Sequence, residues 1–140
     1  MMSILRGSAM LLVLCVLLAA CGDDDPSPEE AMANLCTDLS ELQSSVQNLE
    51  QVRTNPNATV GQLEDARDEV NDQLEDVQSS ADDVEEANVD ALEDAYGNLD
   101  QAIDDIDDDA TLADAGQSVE DEIQAVNAAW EQLMGGLNCA

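Results

Sequence analysis

Apolar residues recur at every third or fourth position through most of the chain after residue 27. The first stripe consists of Met32, Leu35, Leu39, Leu42, Val46 and Leu49. This spacing lines up the apolar side chains on one face of an α-helix, a regularity that disordered segments do not produce. Ser27, Pro28 and Glu30 predict where this helix begins, as N-cap, first helical residue and capping-box partner. The turn-forming residues 55–57 predict that it ends near Arg53.

Two further stripes follow, and they are out of phase with each other. Thr59 and Gln62 have capping-box spacing and predict the start of a second helix. Its apolar positions are Leu63, Ala66, Val70, Leu74, Val77, Ala81 and Val84. The third stripe comprises Val89, Leu92, Tyr96, Leu99, Ile103 and Ile106. The five-residue step between the two stripes favours a turn within residues 79–88, although one long helix that changes its buried face also fits.

A fourth helix is predicted to begin at Thr111, which has capping spacing to Asp114, after the acidic run 107–109 ends the third. Its stripe consists of Leu112, Gly116, Val119, Ile123, Val126, Trp130, Leu133 and Leu137. The pair Gly135-Gly136 should stop this helix, as glycine does at a C-cap. Four helices joined by short connections predict an all-α fold, an antiparallel up-down helical bundle. Three helices with one long middle helix are the alternative.

The first twenty residues have the three zones of a secretory signal. Arg6 supplies positive charge, residues 10–18 are an uncharged apolar run, and Ala19 and Ala20 are small. The apolar segment, residues 8–20, is too short for a transmembrane helix, which needs about 20 apolar residues. We therefore expect export followed by cleavage.

The tetrapeptide Leu18-Ala19-Ala20-Cys21 resembles the lipobox of bacterial lipoproteins. The resemblance implies cleavage after Ala20 and attachment of a diacylglyceryl group to the Cys21 thiol, which would hold the protein on the extracytoplasmic face of the cell membrane. Two or three acyl chains exceed the single chain that binds only reversibly. The expected parts are a signal peptide (1–20), the lipidated cysteine with an acidic tether (21–27), and a helical bundle domain (28–140).

The charge of the chain is strongly negative. It contains 33 acidic residues, and its formal net charge of −30 becomes −31 when Arg6 leaves with the signal peptide. Only Arg53 and Arg67 then remain as cations. Such a surface repels nucleic acid and anionic headgroups, so we expect no nucleic-acid partner.

The cysteines predict one disulfide. If Cys15 leaves with the signal peptide and Cys21 is lipidated, Cys36 and Cys139 remain in an exported chain. A bond between them would close a loop of about 100 residues and contribute about 4–5 kcal/mol in the chain-entropy model. Two thiols without histidine or CxxC spacing do not favour a metal site.

Catalytic chemistry is poorly represented. The chain contains neither histidine nor lysine, which excludes Ser–His and Ser–Lys nucleophile pairs. Among 33 carboxylates some pair always lies at a catalytic distance, so such a pair carries no information. We therefore expect no enzyme and no cofactor, and core positions for Tyr96 and Trp130.

Carboxylates could also hold a hard cation. The weak metal-ligand candidates are Asp104, Asp105, Asp107, Asp108 and Asp109. An EF-hand counted from the second of these would need glycine and glutamate where Ala110 and Gly116 stand. A solvated helix end is the simpler interpretation.

In layout and composition the chain resembles the small, acidic, alanine-rich helical lipoproteins of high-GC Gram-positive bacteria, most of which have no assigned function. This resemblance transfers no site. We expect a non-enzymatic lipoprotein that acts as a cell-envelope spacer or as a protein-interaction module for an envelope protein. The alternative is a surface protein that binds divalent cations weakly or buffers ions; adaptation to high salt would also explain the acidity.

Overall fold

The computed structural model of the protein describes residues 25–85 and 87–139, and this part of the chain forms four α-helices and no strand. They are α1 (Pro28–Thr54), α2 (Val60–Asp82), α3 (Asp90–Asp104) and α4 (Leu112–Leu137). The all-α prediction is confirmed. A connection at residues 83–89 separates α2 from α3, which rules out the long middle helix.

Neighbouring helices run antiparallel. Asp38 bonds to Ser80 and Asn48 to Glu69, so residue numbers rise along α1 as they fall along α2. The pairs α1–α2 and α3–α4 pack most extensively, α1 also packs along α4, and the contact between α2 and α3 is the smallest of the four. The arrangement is that of an up-down bundle.

The bundle has two distinct ends. The disulfide end contains the start of α1, the connection 83–89 and the end of α4. The opposite end contains the connections 55–59 and 105–111. Because α1 has 27 residues, the two ends are separated by about 40 Å at 1.5 Å per residue.

The core is built from the four predicted stripes. Its largest fully buried side chains are Leu35, Leu39, Leu42, Leu49, Leu63, Leu92, Leu99 and Ile103. Met32, Val89 and Ile106, at or near the stripe ends, are only partly buried. No helix in the described ranges is both long enough and apolar enough to cross a membrane.

Local capping chemistry explains most helix starts. Ser27 and Glu30 form a reciprocal capping box at α1, and Thr59 and Gln62 form another at α2. The Thr111 side chain caps α4. α3 differs, because its N-cap residue is a valine that makes no side-chain hydrogen bond.

Two predicted helix ends are wrong. α4 continues through Gly135-Gly136 to Leu137, and Asn138 adopts the left-handed conformation (φ 54°) in their place. The buried Leu137 side chain and the following bonded cysteine hold this turn in helical register, and asparagine tolerates positive φ. α3 ends at Asp104, before the acidic run 107–109, because the chain tightens there into a three-residue turn in which Ile106 N–H bonds to the carbonyl oxygen of Ile103.

Candidate functional site

A disulfide joins α1 to the segment after α4 at one end of the bundle. Cys36 and Cys139 are bonded, with their Cα atoms 5.6 Å apart and a sequence separation of 103 residues. Both residues are half-buried. The predicted disulfide is confirmed, and it closes the α1–α4 interface covalently.

Trp130 provides a second link across the same interface. Its ring is half-buried against the core, and its Nε1–H donates a hydrogen bond of 2.7 Å to the carbonyl oxygen of Leu39 on α1. The side chain therefore packs on the core, as predicted, and its polar edge is satisfied by the neighbouring backbone.

Arg53 is the third link between α1 and α4, near the opposite end. Its side chain is only 13% exposed, and its Nη1 atom lies 3.5 Å from a carboxylate oxygen of Glu120 on α4. Its Nη2 atom lies 3.9 Å from Glu50, while Nε is buried without a hydrogen-bond partner. The guanidinium thus contributes packing as well as charge.

Arg67 occupies the corresponding place between α2 and α3. Its side chain is 16% exposed and is surrounded by three carboxylates. Its Nη2 lies 3.0 Å from Asp68 and its Nε 3.4 Å from Asp100, while Nη1 bonds to Asp104. Burial lowers the pKa of Arg67, but hydrogen bonds to Asp68 and Asp104 and the surrounding negative charge raise it, and the net direction is upward.

Tyr96 also reaches across the α2–α3 interface. The residue is 7% exposed, and its hydroxyl donates a hydrogen bond of 3.3 Å to the carbonyl oxygen of Arg67. Burial, together with the charge of nearby Asp100, raises the pKa of the phenol well above its usual range. The predicted core position of Tyr96 is confirmed.

The carboxylates are unevenly distributed. Twenty of the 33 lie between residues 60 and 109, which comprise α2, α3 and the connections that follow them. α1 and α4 together carry ten, with uncharged runs at residues 42–49 and 123–130. Counted over the helices alone, the shorter pair α2 and α3 carries thirteen carboxylates against ten for α1 and α4, so the α2–α3 side of the bundle is the more acidic.

The five candidate metal ligands do not form one cluster. Asp104 pairs with Arg67, and Asp105 caps the end of α3. The remaining three, Asp107, Asp108 and Asp109, are exposed in the connection to α4. Within residues 25–85 and 87–139, no three potential ligands are arranged to hold a metal ion.

The proposed lipidation site, Cys21, lies outside the described residues. The geometric roles of Arg53 and Arg67 were missed by sequence reasoning, although their scarcity among so many carboxylates was a usable signal. Comparisons with protein-family models, with curated proteins and with solved structures returned no significant match.

Proposed function

We propose that this chain is a non-enzymatic, membrane-anchored extracytoplasmic lipoprotein, lipidated on Cys21, whose bundle serves as a cell-envelope spacer or protein-interaction module. The observation that carries the proposal is the bond between Cys36 and Cys139. Intrachain disulfides are typical of exported proteins. With that pair consumed, Cys21 is the remaining cysteine of the mature chain and stands at the end of a lipobox-like sequence.

The position of the bundle relative to the anchor supports a spacer. α1 begins at Pro28, seven residues after Cys21. The intervening residues 22–27 span at most about 20 Å when extended. The disulfide end would therefore face the membrane, and the opposite end would stand about 40 Å further out.

The chemistry of the described side chains supports a non-enzymatic role. Both arginines of this region are paired with carboxylates, and both aromatic side chains donate to backbone carbonyls. The sequence contributes no histidine or lysine as a base or nucleophile. An interaction surface would therefore consist of the exposed helix faces and the connections between them.

Lipidation can be tested by metabolic labelling with an alkyne fatty acid in a bacterial host. We expect the wild-type chain to carry the label and to fractionate with membranes, and Cys21→Ala to do neither. The matched control is the double variant Cys36→Ala/Cys139→Ala, which should keep the label. A wild-type chain without label, or a labelled Cys21→Ala chain, would overturn the anchor.

The interaction role can be tested by photo-crosslinking on intact cells, because a chain without lysine has no side chain for amine-reactive linkers. A photoreactive residue at Asn57 or Asp108 samples the opposite end, and one at Asn88 samples the disulfide end. A recurrent partner that is lost with Cys21→Ala indicates an interaction module, whereas no adduct at any position indicates a spacer. A hydrolytic activity abolished by changing one carboxylate would refute the non-enzymatic proposal.

A further inference from the structure

The α2–α3 interface is held by fewer independent contacts than the α1–α4 interface. Among the described residues, every polar contact between α2 and α3 involves Arg67: its guanidinium binds Asp100 and Asp104, and its carbonyl accepts from Tyr96. The contact between these two helices is also the smallest among the four pairs of neighbouring helices. Closure of this interface therefore depends strongly on one residue.

The α1–α4 interface is held by three independent contacts at separate positions along its length. The Cys36–Cys139 bond, the Trp130 hydrogen bond and the Arg53–Glu120 ion pair involve different residues on both helices. Loss of any one of these contacts leaves the other two in place. This side of the bundle is therefore fixed.

The charges at the α2–α3 interface oppose its closure. Three carboxylates surround the single guanidinium of Arg67, which leaves the cluster with excess negative charge. α2 and α3 carry thirteen acidic residues and no other cation. Repulsion among exposed charges extends over about 30 Å at 0.01 M salt but only about 10 Å at 0.1 M. The repulsion between these helices is therefore controlled by ionic strength.

We propose that the α2–α3 interface is a conformational switch controlled by ionic strength: it is closed at high ionic strength, held by Arg67, and opens at low ionic strength. Salt also screens the attraction of Arg67 for its carboxylates, but this single cation is outnumbered, so screening favours closure overall. Opening separates α3 from α2 and exposes part of the core to water, while α3 keeps its more extensive packing on α4. The α1–α4 interface stays closed and acts as the fixed side.

The experiment is hydrogen exchange, read by mass spectrometry, on the full chain in a nonionic detergent at 0.01 M and 0.3 M KCl. In the wild type we expect protection of the α3 amides to rise several-fold with salt, while residues 39–49 of α1 change little. Arg67→Gln should lower α3 protection about tenfold at low salt, and 0.3 M KCl should restore most of it. Arg53→Gln is the matched control and should leave α3 protection near the wild-type value.

Three results would overturn the proposal. The first is α3 protection that is independent of salt in the wild type, a measurement that needs no variant. The second is an equal loss of α1 and α3 protection in Arg67→Gln, which would indicate general destabilisation; Arg67→Lys, which keeps the charge, is the second variant if the first does not fold. The third is protection by MgCl2 far above that by KCl at equal ionic strength, which would indicate a specific cation site instead of screening.

Discussion

The α1–α4 and α2–α3 interfaces contain the same two kinds of polar contact, an arginine ion pair and an aromatic hydrogen bond, but in different surroundings. Each has one mostly buried arginine paired with a carboxylate of the neighbouring helix. Each also has one aromatic side chain that donates a hydrogen bond to a backbone carbonyl across the interface, Trp130 to Leu39 and Tyr96 to Arg67. They differ in that the first is closed by a disulfide and the second lies among most of the carboxylates.

The comparison indicates that the contribution of an arginine ion pair to an interface depends on the other contacts and charges around it. Arg53 acts in an interface that a disulfide and the Trp130 hydrogen bond also hold, on the less acidic side of the bundle, so removing its charge leaves those two links in place. Arg67 joins two helices whose other charges are all negative. Arg53 is thus one of several contacts that hold α1–α4, whereas Arg67 is the main polar contact that holds α2–α3. Exposed ion pairs elsewhere contribute little to stability.

The largest effect is expected from the disulfide. Replacing both Cys36 and Cys139 by serine should lower the free energy of unfolding by about 4–5 kcal/mol, because the unfolded chain is released from a long loop. Urea denaturation followed by Trp130 fluorescence measures this directly. A reducing agent should destabilise the wild type by a similar amount and leave the double variant unchanged. A loss below about 1 kcal/mol would mean that the α1–α4 interface does not depend on its bond.

The next effect compares the two aromatic hydrogen bonds. Tyr96→Phe removes one hydroxyl and leaves the Arg67 carbonyl without that donor, which should cost about 1–2 kcal/mol. Because Tyr96 titrates at a higher pH when folded than when unfolded, its contribution is present below about pH 10 and declines as pH rises beyond it. Wild-type stability should therefore fall between pH 10 and 11, and Tyr96→Phe should fall less.

The corresponding variant in the α1–α4 interface is Trp130→Phe, for which we expect a somewhat larger loss of stability. This change removes the Nε1–H bond to Leu39 and part of the ring, so about 2–3 kcal/mol should be lost, with no specific dependence on pH between 10 and 11. Chemical denaturation followed by circular dichroism suits both variants, since Trp130 is the only tryptophan. The same alkaline slope in Tyr96→Phe and Trp130→Phe would exclude Tyr96 as its source.

Replacing exposed glycines should have a smaller effect of opposite sign, an increase in the free energy of unfolding. A Cβ added at Gly97 in α3 or Gly136 in α4 would meet nothing within 4 Å, and neither residue has positive φ. Each change to alanine should therefore stabilise the protein by about 0.5–1 kcal/mol, because alanine loses less backbone freedom on folding. Thermal unfolding of the two variants measures it. Destabilisation by either change would show that its helix needs the backbone freedom of glycine.

The smallest effect concerns the start of α1, outside both interfaces. The backbone hydrogen bond from Ser27, and then its side chain, lower the pKa of Glu30. Since the folded pKa is the lower one, this contribution is present above about pH 4.5 and is lost as pH falls. Glu30→Gln should melt slightly lower than the wild type at pH 7 and equally at pH 3. Glu29→Gln, which lies outside the capping box, is the control and should show no such difference.

The sequence was sufficient for the number of helices and for most of their starts. The three- and four-residue spacing of apolar positions determines which face is buried, and the Ser27 and Thr59 capping boxes are completed within four residues. The disulfide was predicted from the expected export of the chain and from its cysteine count. These features depend on neighbours in sequence, which are visible without a structure.

The remaining features depend on neighbours in space. α4 does not end at Gly135-Gly136 as predicted, because the packing of Leu137 and the bond of Cys139 to α1 keep the chain helical through Leu137. The partners of Arg53, Arg67, Tyr96 and Trp130 depend on which helices are adjacent and how each is rotated about its axis. Apolar spacing indicates the buried face but not the neighbour on either side of it.

The covalent link near the chain ends also determines what a protease can release. All three connections between helices lie between Cys36 and Cys139 in sequence. A single cleavage in residues 55–59, 83–89 or 105–111 therefore leaves two polypeptides that are still joined by the disulfide. Such a nicked molecule would migrate as one species on a non-reducing gel and separate only after reduction. One cut in any of these connections would thus release no part of the bundle.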